Sequence, residues 1–339
     1  RELALLLNRR RTRRGAIDFD LPQPLIEFDE WGQMTGVTRA PRNIAHRIIE
    51  EFMLAANEAV ASHLLAAGTA SLYRVHEPPD PLRVMEFEDI AAGFGYSLGL
   101  GAMPVKRFPV VDRKRDGRKT RKDIVLPDSR LRVTPHHYQA LANKLAGKPE
   151  ERILNYLMLR SLKQARYSAD NTGHFALASP AYTHFTSPIR RYPDLVVHRV
   201  LSSVLDRRPP AGMDLERIGD ECSFTERRAA EAERELVEWK KARFMEDKLG
   251  DEFDALIIST TKAGFFVELI ELFVEGFVAV DALIGDRFHY HETTRKIIGE
   301  RTRRTFSIGG RVRVRLDRVD AVERRLSFSL AGESSGRRR

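Results

Sequence analysis

Apolar residues recur at Ile44, Ile48, Phe52, Ala55 and Ala59, the spacing of one helix face, with Gly68 as a stop. The chain before them is different in kind. A-I-D-F-D from Ala16 and L-I-E-F-D from Leu25 read as extended segments, interrupted by Pro22 and Pro24 and closed by a turn at Glu30 to Gly32. After a proline-rich loop, Y-R-V-H-E-P-P-D-P at 73–81, the spacing predicts helices over 82–94, 135–145 and 149–167. Residues 171–187 carry glycine and aromatics without a helical period, and a helix follows to Leu205. Beyond a break at 207–212, Leu215, Ile218, Cys222, Ala229, Ala232, Leu236 and Trp239 form the apolar stripe of a long helix over 215–249, which Gly250 ends.

At Gly250 the period changes to two. F-D-A-L-I-I-S-T, G-F-F-V-E-L, F-V-E-G-F-V-A-V, V-R-V-R-L-D-R-V-D and R-L-S-F-S-L read as five short strands, enough for a small closed barrel. Phe265 and Phe266 are adjacent on one strand, so one belongs to the core and the other to the surface. Arg311, Arg313 and Arg315 alternate and therefore share a face. The fold class expected is α+β: a mainly helical part with a few strands over 1–249, a five-stranded barrel over 250–332 and a basic tail over 333–339.

Charge narrows the function. Lys and Arg number 57 against 48 Asp and Glu, a net +9 that favours a polyanionic partner. Residues 106–122 concentrate part of it in an expected exposed loop or hairpin, for which a solvated surface and an RNA-facing surface both remain open. A single cysteine, Cys222, excludes an internal disulfide and a thiolate zinc cage, and fits a reducing cytoplasm. No apolar run reaches the roughly 18 residues of a membrane span. The apolar patch Leu3 to Leu7 precedes an arginine run, the reverse of a signal peptide, and the first residue is not Met, so the chain is expected to begin inside a longer protein.

The densest chemistry lies in G-H-F-A-L-A-S-P-A-Y-T-H-F-T-S-P-I-R-R-Y-P-D-L-V-V-H-R, residues 173–199. T-S-P-I-R-R-Y reads as a helix entrance, with Ser187 as cap and Pro188 in the first position. Pro193 would break such a helix, which leaves a start near Pro193 as the alternative. Either entrance offers free N–H groups to an anion, and Arg190 and Arg191 add two guanidiniums suited to a phosphodiester. A surface salt bridge is the competing role for that pair.

This segment resembles the signature of the ribonuclease II / ribonuclease R family, together with R-G-A-I-D-F-D at 14–20, R-N-I-A-H-R-I-I-E-E-F-M-L-A-A-N at 42–57, the loop at 73–81 and L-K-Q-A-R-Y-S at 162–168. The proline-rich loop favours the ribonuclease R branch. The five strands are similar to an S1-type OB-fold. The resemblance implies a 3′-to-5′ exoribonuclease that hydrolyses single-stranded RNA to nucleoside monophosphates with Mg²⁺. It implies that Arg190 contacts the scissile phosphate, that Phe19 stacks on the terminal bases, and that Glu50 or Glu51 contacts the terminal nucleotides. Thr186, Ser187 and Tyr192 would shape the pocket, and Glu233 would lie near the active site. On the barrel, Phe265, Phe266 and Phe277 are stacking candidates, with Phe288 and His289, and Lys262, Arg287, Arg311, Arg313 and Arg315 would follow the RNA backbone.

The sequence departs from the family where the metal would be held. The family's aspartate cluster, D-x-x-x-x-x-D-x-D-D, does not occur here. Asp18 and Asp20 are the nearest substitute, and two carboxylates make a poor magnesium cage. The expectation is a chain that binds RNA without cutting it, a part of an exoribonuclease; a non-catalytic RNA-binding protein is the alternative. The motif at 173–199 argues against a purely structural basic protein. Membrane partners are not expected, and nothing in the sequence points to a protein partner.

Overall fold

A computed structural model describes residues 1–19, 24–39, 43–101, 105–113, 119–127, 132–209, 212–292, 294–320 and 322–332. In chain order its elements are α1 (Glu2–Arg14), β1 (Pro24–Phe28), β2 (Met34–Arg39), α2 (Ile44–Ala66), β3 (Tyr73–Val75), α3 (Pro81–Ala92), β4 (Val105–Arg113), β5 (Lys119–Pro127), α4 (Pro135–Leu145), α5 (Glu151–Ser161), β6 (Arg166–Ser168), α6 (Tyr192–Leu205) and α7 (Leu215–Glu246). Eight strands follow: β7 (Glu252–Thr261), β8 (Gly264–Leu269), β9 (Glu275–Ala279), β10 (Phe288–His291), β11 (Lys296–Gly299), β12 (Thr305–Ser307), β13 (Arg311–Asp320) and β14 (Arg325–Leu330). Contacts divide them into two compact units, Arg1–Leu21 with Arg42–Glu226, and Pro22–Pro41 with Arg227–Arg339.

In the first unit, Leu64 of α2, Leu72, Tyr167 and Val196, Val197 and Val200 of α6 form a buried cluster, joined by Leu215, Ile218 and Cys222 from the start of α7. Gly219 allows that approach: a Cβ there would lie 3.2 Å from the Tyr167 carbonyl oxygen and 3.3 Å from Leu72. A second packing centre stacks Phe87 of α3 on Tyr138 of α4, with Leu141, Leu154 and Met158 buried. Residues 105–113 and 119–127 pair as an antiparallel hairpin, one of the two forms expected for the basic segment; residues 114–118 lie outside the described residues.

In this unit the sequence reading gains one helix, is corrected at two places and has one open alternative decided. Residues 2–14 are a helix, ended by Gly15 in the left-handed region at φ 102. Residues 16–19 form no strand; the Ile17 N–H instead donates to the Ala176 carbonyl oxygen at 2.8 Å. α5 stops at Ser161, and Tyr167 sits on β6, paired with Arg74 of β3, so part of the proline-rich loop is a strand. α6 begins at Tyr192 with Pro193 in its first turn, the later of the two starts that the sequence left open.

In the second unit, β13-β14-β9-β8-β7 close into a barrel in which β14 and β9 run parallel. These are the five strands expected, and the whole is α+β. Phe265, Val267, Val278, Val314, Leu316 and Phe328 fill the barrel, sealed by Ala242 and Met245 of α7. Gly276 makes room for Phe328, whose ring would be 2.1 Å from a Cβ there. The stripe on α7 is corrected in its second half: Leu236 and Trp239 are exposed, and burial passes to Ala242 and Met245. The antiparallel sheet β10-β11-β12, inserted between β9 and β13, is an addition to the sequence reading. The tail at 333–339 lies outside the described residues.

Candidate nucleic-acid interface

Residues 171–191 form an irregular run pinned from several sides. The Thr183 hydroxyl donates to the Leu72 carbonyl oxygen at 2.6 Å, the Arg74 N–H to the Tyr182 carbonyl oxygen at 2.9 Å, and the Phe185 N–H to Asn57 Oδ1 at 2.9 Å. Extended backbone puts residues 182 and 184 on one side. The result is a cleft of about 400 Å³ in the first unit. One wall is α2, through Ala45, Ile49, Met53 and Leu54 with His46, Glu50 and Asn57; the other is Tyr182, His184 and Arg191.

The chain then turns. The N–H groups of Arg190 and Arg191 both donate to the Ser187 carbonyl oxygen, at 3.2 and 3.0 Å. Ser187 does not cap α6. Its own N–H is instead held at 2.8 Å by Asp194 Oδ2, which also accepts Arg191 Nη2 at 2.7 Å. Asp194 is 0% exposed. It ties the turn to the first turn of α6, where a carboxylate is favoured. Ile189, at 98% exposure, and Arg190 stand at the tip. Among the described residues Arg190 has no carboxylate partner, whereas Arg191 is half-buried in the cleft wall with its Nε unpaired, as is the nearby Thr186 hydroxyl.

Behind the cleft wall lies a row of rings: His76, His174, Tyr182, His184 and Tyr167 meet edge to face at 5.0, 5.2, 5.9 and 5.5 Å. Burial, then the cations Arg191 and Arg74, push His184 down to about 3. Burial and the neighbouring His76 do the same to His174. Both are neutral at physiological pH. His184 Nδ1 shares a 2.8 Å hydrogen bond with the Tyr167 hydroxyl.

Of the residues named from sequence, the cleft brings together Glu50 and Arg191. Glu51 is corrected: it is buried and turned toward α1, where Arg11 and Asn8 reach its Oε1 at 2.8 Å each. One residue along a helix is a rotation of about 100°, so two adjacent glutamates cannot serve one face. Phe19, Thr186, Ser187, Arg190 and Tyr192 do not line the cleft, and Glu233 is an exposed residue of the second unit. His46, Asn57, Tyr182 and His184 line it and were missed, although Tyr182 and His184 stand two apart in an irregular motif.

On the barrel, Phe265 is 0% exposed and is core, which removes it as a stacking residue; Phe266 is 40% exposed. Phe266 pairs across the sheet with Phe277, rings 5.0 Å apart, as an aromatic platform. Phe288 packs on Phe306 against the barrel core, and His289 is bound to Glu300. Arg311, Arg313 and Arg315 do share a face, but register sets Arg313 opposite Asp254 and Arg315 opposite Glu252. Arg313 pairs with Glu252 at 3.0 Å and Asp254 at 3.6 Å, Arg315 with Asp317 at 3.1 Å, and Lys262 with Glu292 at 2.6 Å. The expected row of open cations is therefore largely neutralised, with Arg311 the member that has no acid partner among the described residues.

No set of three His, Cys, Asp or Glu side chains placed to hold a metal occurs among the described residues. Asp18 stands 3.8 Å from the Arg11 guanidinium, a cation where a second carboxylate would be needed, and Asp20 lies outside the described residues. The residues described do not fit a magnesium centre. Among them no helix is long and apolar enough to cross a membrane.

A closed five-stranded barrel in one chain with a helical unit bearing a cleft that Arg191 helps to wall defines a two-part protein of the α+β class. The RNB domain model matches residues 1–207 and the S1 RNA binding domain model residues 246–331. The chain belongs to the RNB family. It is 40% identical over 330 residues to ribonuclease R of Aquifex aeolicus, covering 96% of this chain and 43% of that protein. It is 32% identical over 338 residues to ribonuclease R of Escherichia coli, with 96% and 38% covered. Among solved structures, the apo form of Mycoplasma genitalium RNase R superposes with a TM-score of 0.81 at 26% identity, over 97% of this chain and 48% of that one. The chain spans less than half the length of these relatives.

Proposed function

We propose that this chain is the RNA-gripping part of an exoribonuclease that hydrolyses single-stranded RNA from its 3′ end to nucleoside monophosphates. The observation that carries the reading is the cleft: an apolar wall for a base, Glu50 for a polar edge, and Arg191 fixed by Asp194 for a phosphate. A fixed guanidinium grips phosphate with less entropy loss than a free one. Mycoplasma genitalium RNase R, a structural relative, has been seen in complex with ribose methylated single-stranded RNA. In this reading the exposed Arg190 reaches the scissile phosphate, Phe19 stacks on a terminal base, and Thr186, Ser187 and Tyr192 shape the entrance. Phe266 and Phe277 on the barrel stack bases of the incoming strand. The family resemblance assigns Mg²⁺ to the hydrolysis; the carboxylates for it are not in this sequence's motifs, so the 339 residues bind RNA and do not cut it. The RNB part is assigned to 1–249 and the S1 part to 250–332, and the cytoplasm is the compartment proposed.

The test is an end-labelled single strand incubated with residues 1–339 in millimolar Mg²⁺ or Mn²⁺. A gel shift with full-length strand over hours is expected. Mononucleotides abolished by Asp18→Asn with Asp20→Asn would overturn the non-cutting reading, and no shift would overturn the grip. The second reading, a non-catalytic RNA-binding protein, draws on that same lack of a carboxylate set and predicts that adding the aspartate-bearing part of a relative restores no cleavage.

A further inference from the structure

The sheet β10-β11-β12 ends in a turn that is built rather than loose. Asp286 accepts the N–H of Arg287 at 2.8 Å, of Arg301 at 3.0 Å and of Thr302 at 2.7 Å, and the Thr302 hydroxyl at 2.6 Å. The Gly299 N–H donates to the Arg304 carbonyl oxygen at 2.9 Å, and the Glu300 N–H to the Arg287 carbonyl oxygen at 2.8 Å. Gly299 is required, since a Cβ there would stand 2.5 Å from Asp286 Oδ2 and 2.8 Å from the Thr302 hydroxyl. Arg301 Nη2 reaches the Gly285 carbonyl oxygen at 2.9 Å, and Arg303 holds the left-handed region at φ 56.

This scaffold gathers arginines. Arg287, Arg301, Arg303 and Arg304 all lie in 285–304 and all are exposed. The nearby acids are occupied: Asp286 by the turn itself, Glu300 by His289 at 2.5 Å, and Glu292 by Lys262 at 2.6 Å. Among the described residues Arg287, Arg301 and Arg303 have no carboxylate partner. The contrast with Arg313 and Arg315, each paired with an acid, is sharp.

We infer that the Asp286-braced arginine turn, at residues 285–287 and 299–304, is a docking site for the phosphodiester backbone of single-stranded RNA. The inference rests on the RNA-binding reading above and moves the barrel's main phosphate contacts from the β13 row to this turn. Arginine forks match phosphate oxygens two at a time, and orienting them beforehand lowers the entropy lost on binding. RNA is favoured over an acidic protein because the turn is carried on the barrel that the S1 RNA binding model matches.

The salt dependence of binding decides it, measured on residues 1–339 with a 20-nucleotide single strand. Each phosphate contact to a single strand contributes about 0.7 to the slope of log K against log salt. Arg301→Ala with Arg303→Ala, both at exposed positions, should flatten the slope by about 1.4 and weaken binding about 25-fold at 0.1 M salt. Arg313→Ala should change the slope by less than half a contact. Asp286→Ala separates bracing from charge. It raises the net charge by one, so charge alone predicts tighter binding, whereas the inference expects weaker binding. An unchanged slope in the double variant of a wild-type chain that binds RNA would overturn this inference and leave the RNA-binding reading standing. A loss only toward an acidic polypeptide would overturn it in favour of a protein partner. A wild-type chain that binds no RNA would overturn both.

Discussion

Asp194 is the residue on which the cleft wall depends. Its carboxylate is 0% exposed and accepts two donors, the Ser187 N–H at 2.8 Å and Arg191 Nη2 at 2.7 Å. Asp194→Asn keeps an acceptor for Ser187 and loses the charge that Arg191 answers. A hydrogen bond to a charged group contributes about 1.5–3 kcal/mol, so the asparagine variant should lose about 2 kcal/mol. Asp194→Ala also leaves a half-buried guanidinium unpaired. Breaking a buried pair costs about 3–5 kcal/mol, and the 20% side-chain exposure of Arg191 puts the expected loss near the lower end. Urea unfolding followed by far-UV circular dichroism measures both, and hydrogen exchange in 183–195 should rise in parallel. Asp206→Ala is the control: its partner Arg208 is 69% exposed, and the loss should stay within about 0.5 kcal/mol. An alanine variant within about 1 kcal/mol of wild type would refute the reasoning, because Arg191 would then be held by something else.

Acid should destabilise the first unit early. His174 and His184 titrate near 3 when folded against 6.5 when free, so the unfolded chain binds the extra protons. Stability should therefore be full above about pH 7, fall as the pH drops through 6.5, and stop falling on this account below about 3. At pH 5 each histidine should cost about 2 kcal/mol, and His184→Gln should reduce the loss seen in a pH series of urea midpoints. Phe265→Ala should cost about 3–5 kcal/mol of barrel stability. Phe266→Ala should leave stability nearly intact and weaken single-strand binding by about 1–3 kcal/mol in a filter or anisotropy titration. Glu51→Gln should lower stability by about 2 kcal/mol through Arg11, while Glu50→Gln should weaken RNA binding.

The barrel was legible because its signal is local: a period-two pattern on five strands gives alternation, and adjacency alone separates Phe265 from Phe266. The helix α2 was legible for the same reason. What escaped are features set by distant partners. Arg313 looked like an open cation because strand register, which brings Glu252 and Asp254 within its reach, is not written in its own segment; the acid that pairs with Arg315, Asp317, stands two residues along the same strand and was overlooked. Glu50 and Glu51 could not be told apart until α1, with Arg11, was in place. Ser187 and Pro188 carried a good helix-start signal and lost to Pro193, because Asp194 stabilises the later start from inside α6. His184 and Tyr182 sit in a stretch with no period, where sequence gives no face to read.

The central claim is that the cleft between α2 and residues 182–191 receives the 3′ end of a single strand. Photocrosslinking with 4-thiouridine as the 3′-terminal nucleotide, on residues 1–339 in EDTA, tests it directly. Crosslinks should fall in peptides spanning 45–57 and 182–191 and shift to the barrel, 252–330, when the label is moved toward the 5′ end. Crosslinks from the 3′-terminal label confined to the barrel, with none in the two cleft peptides, would contradict the account.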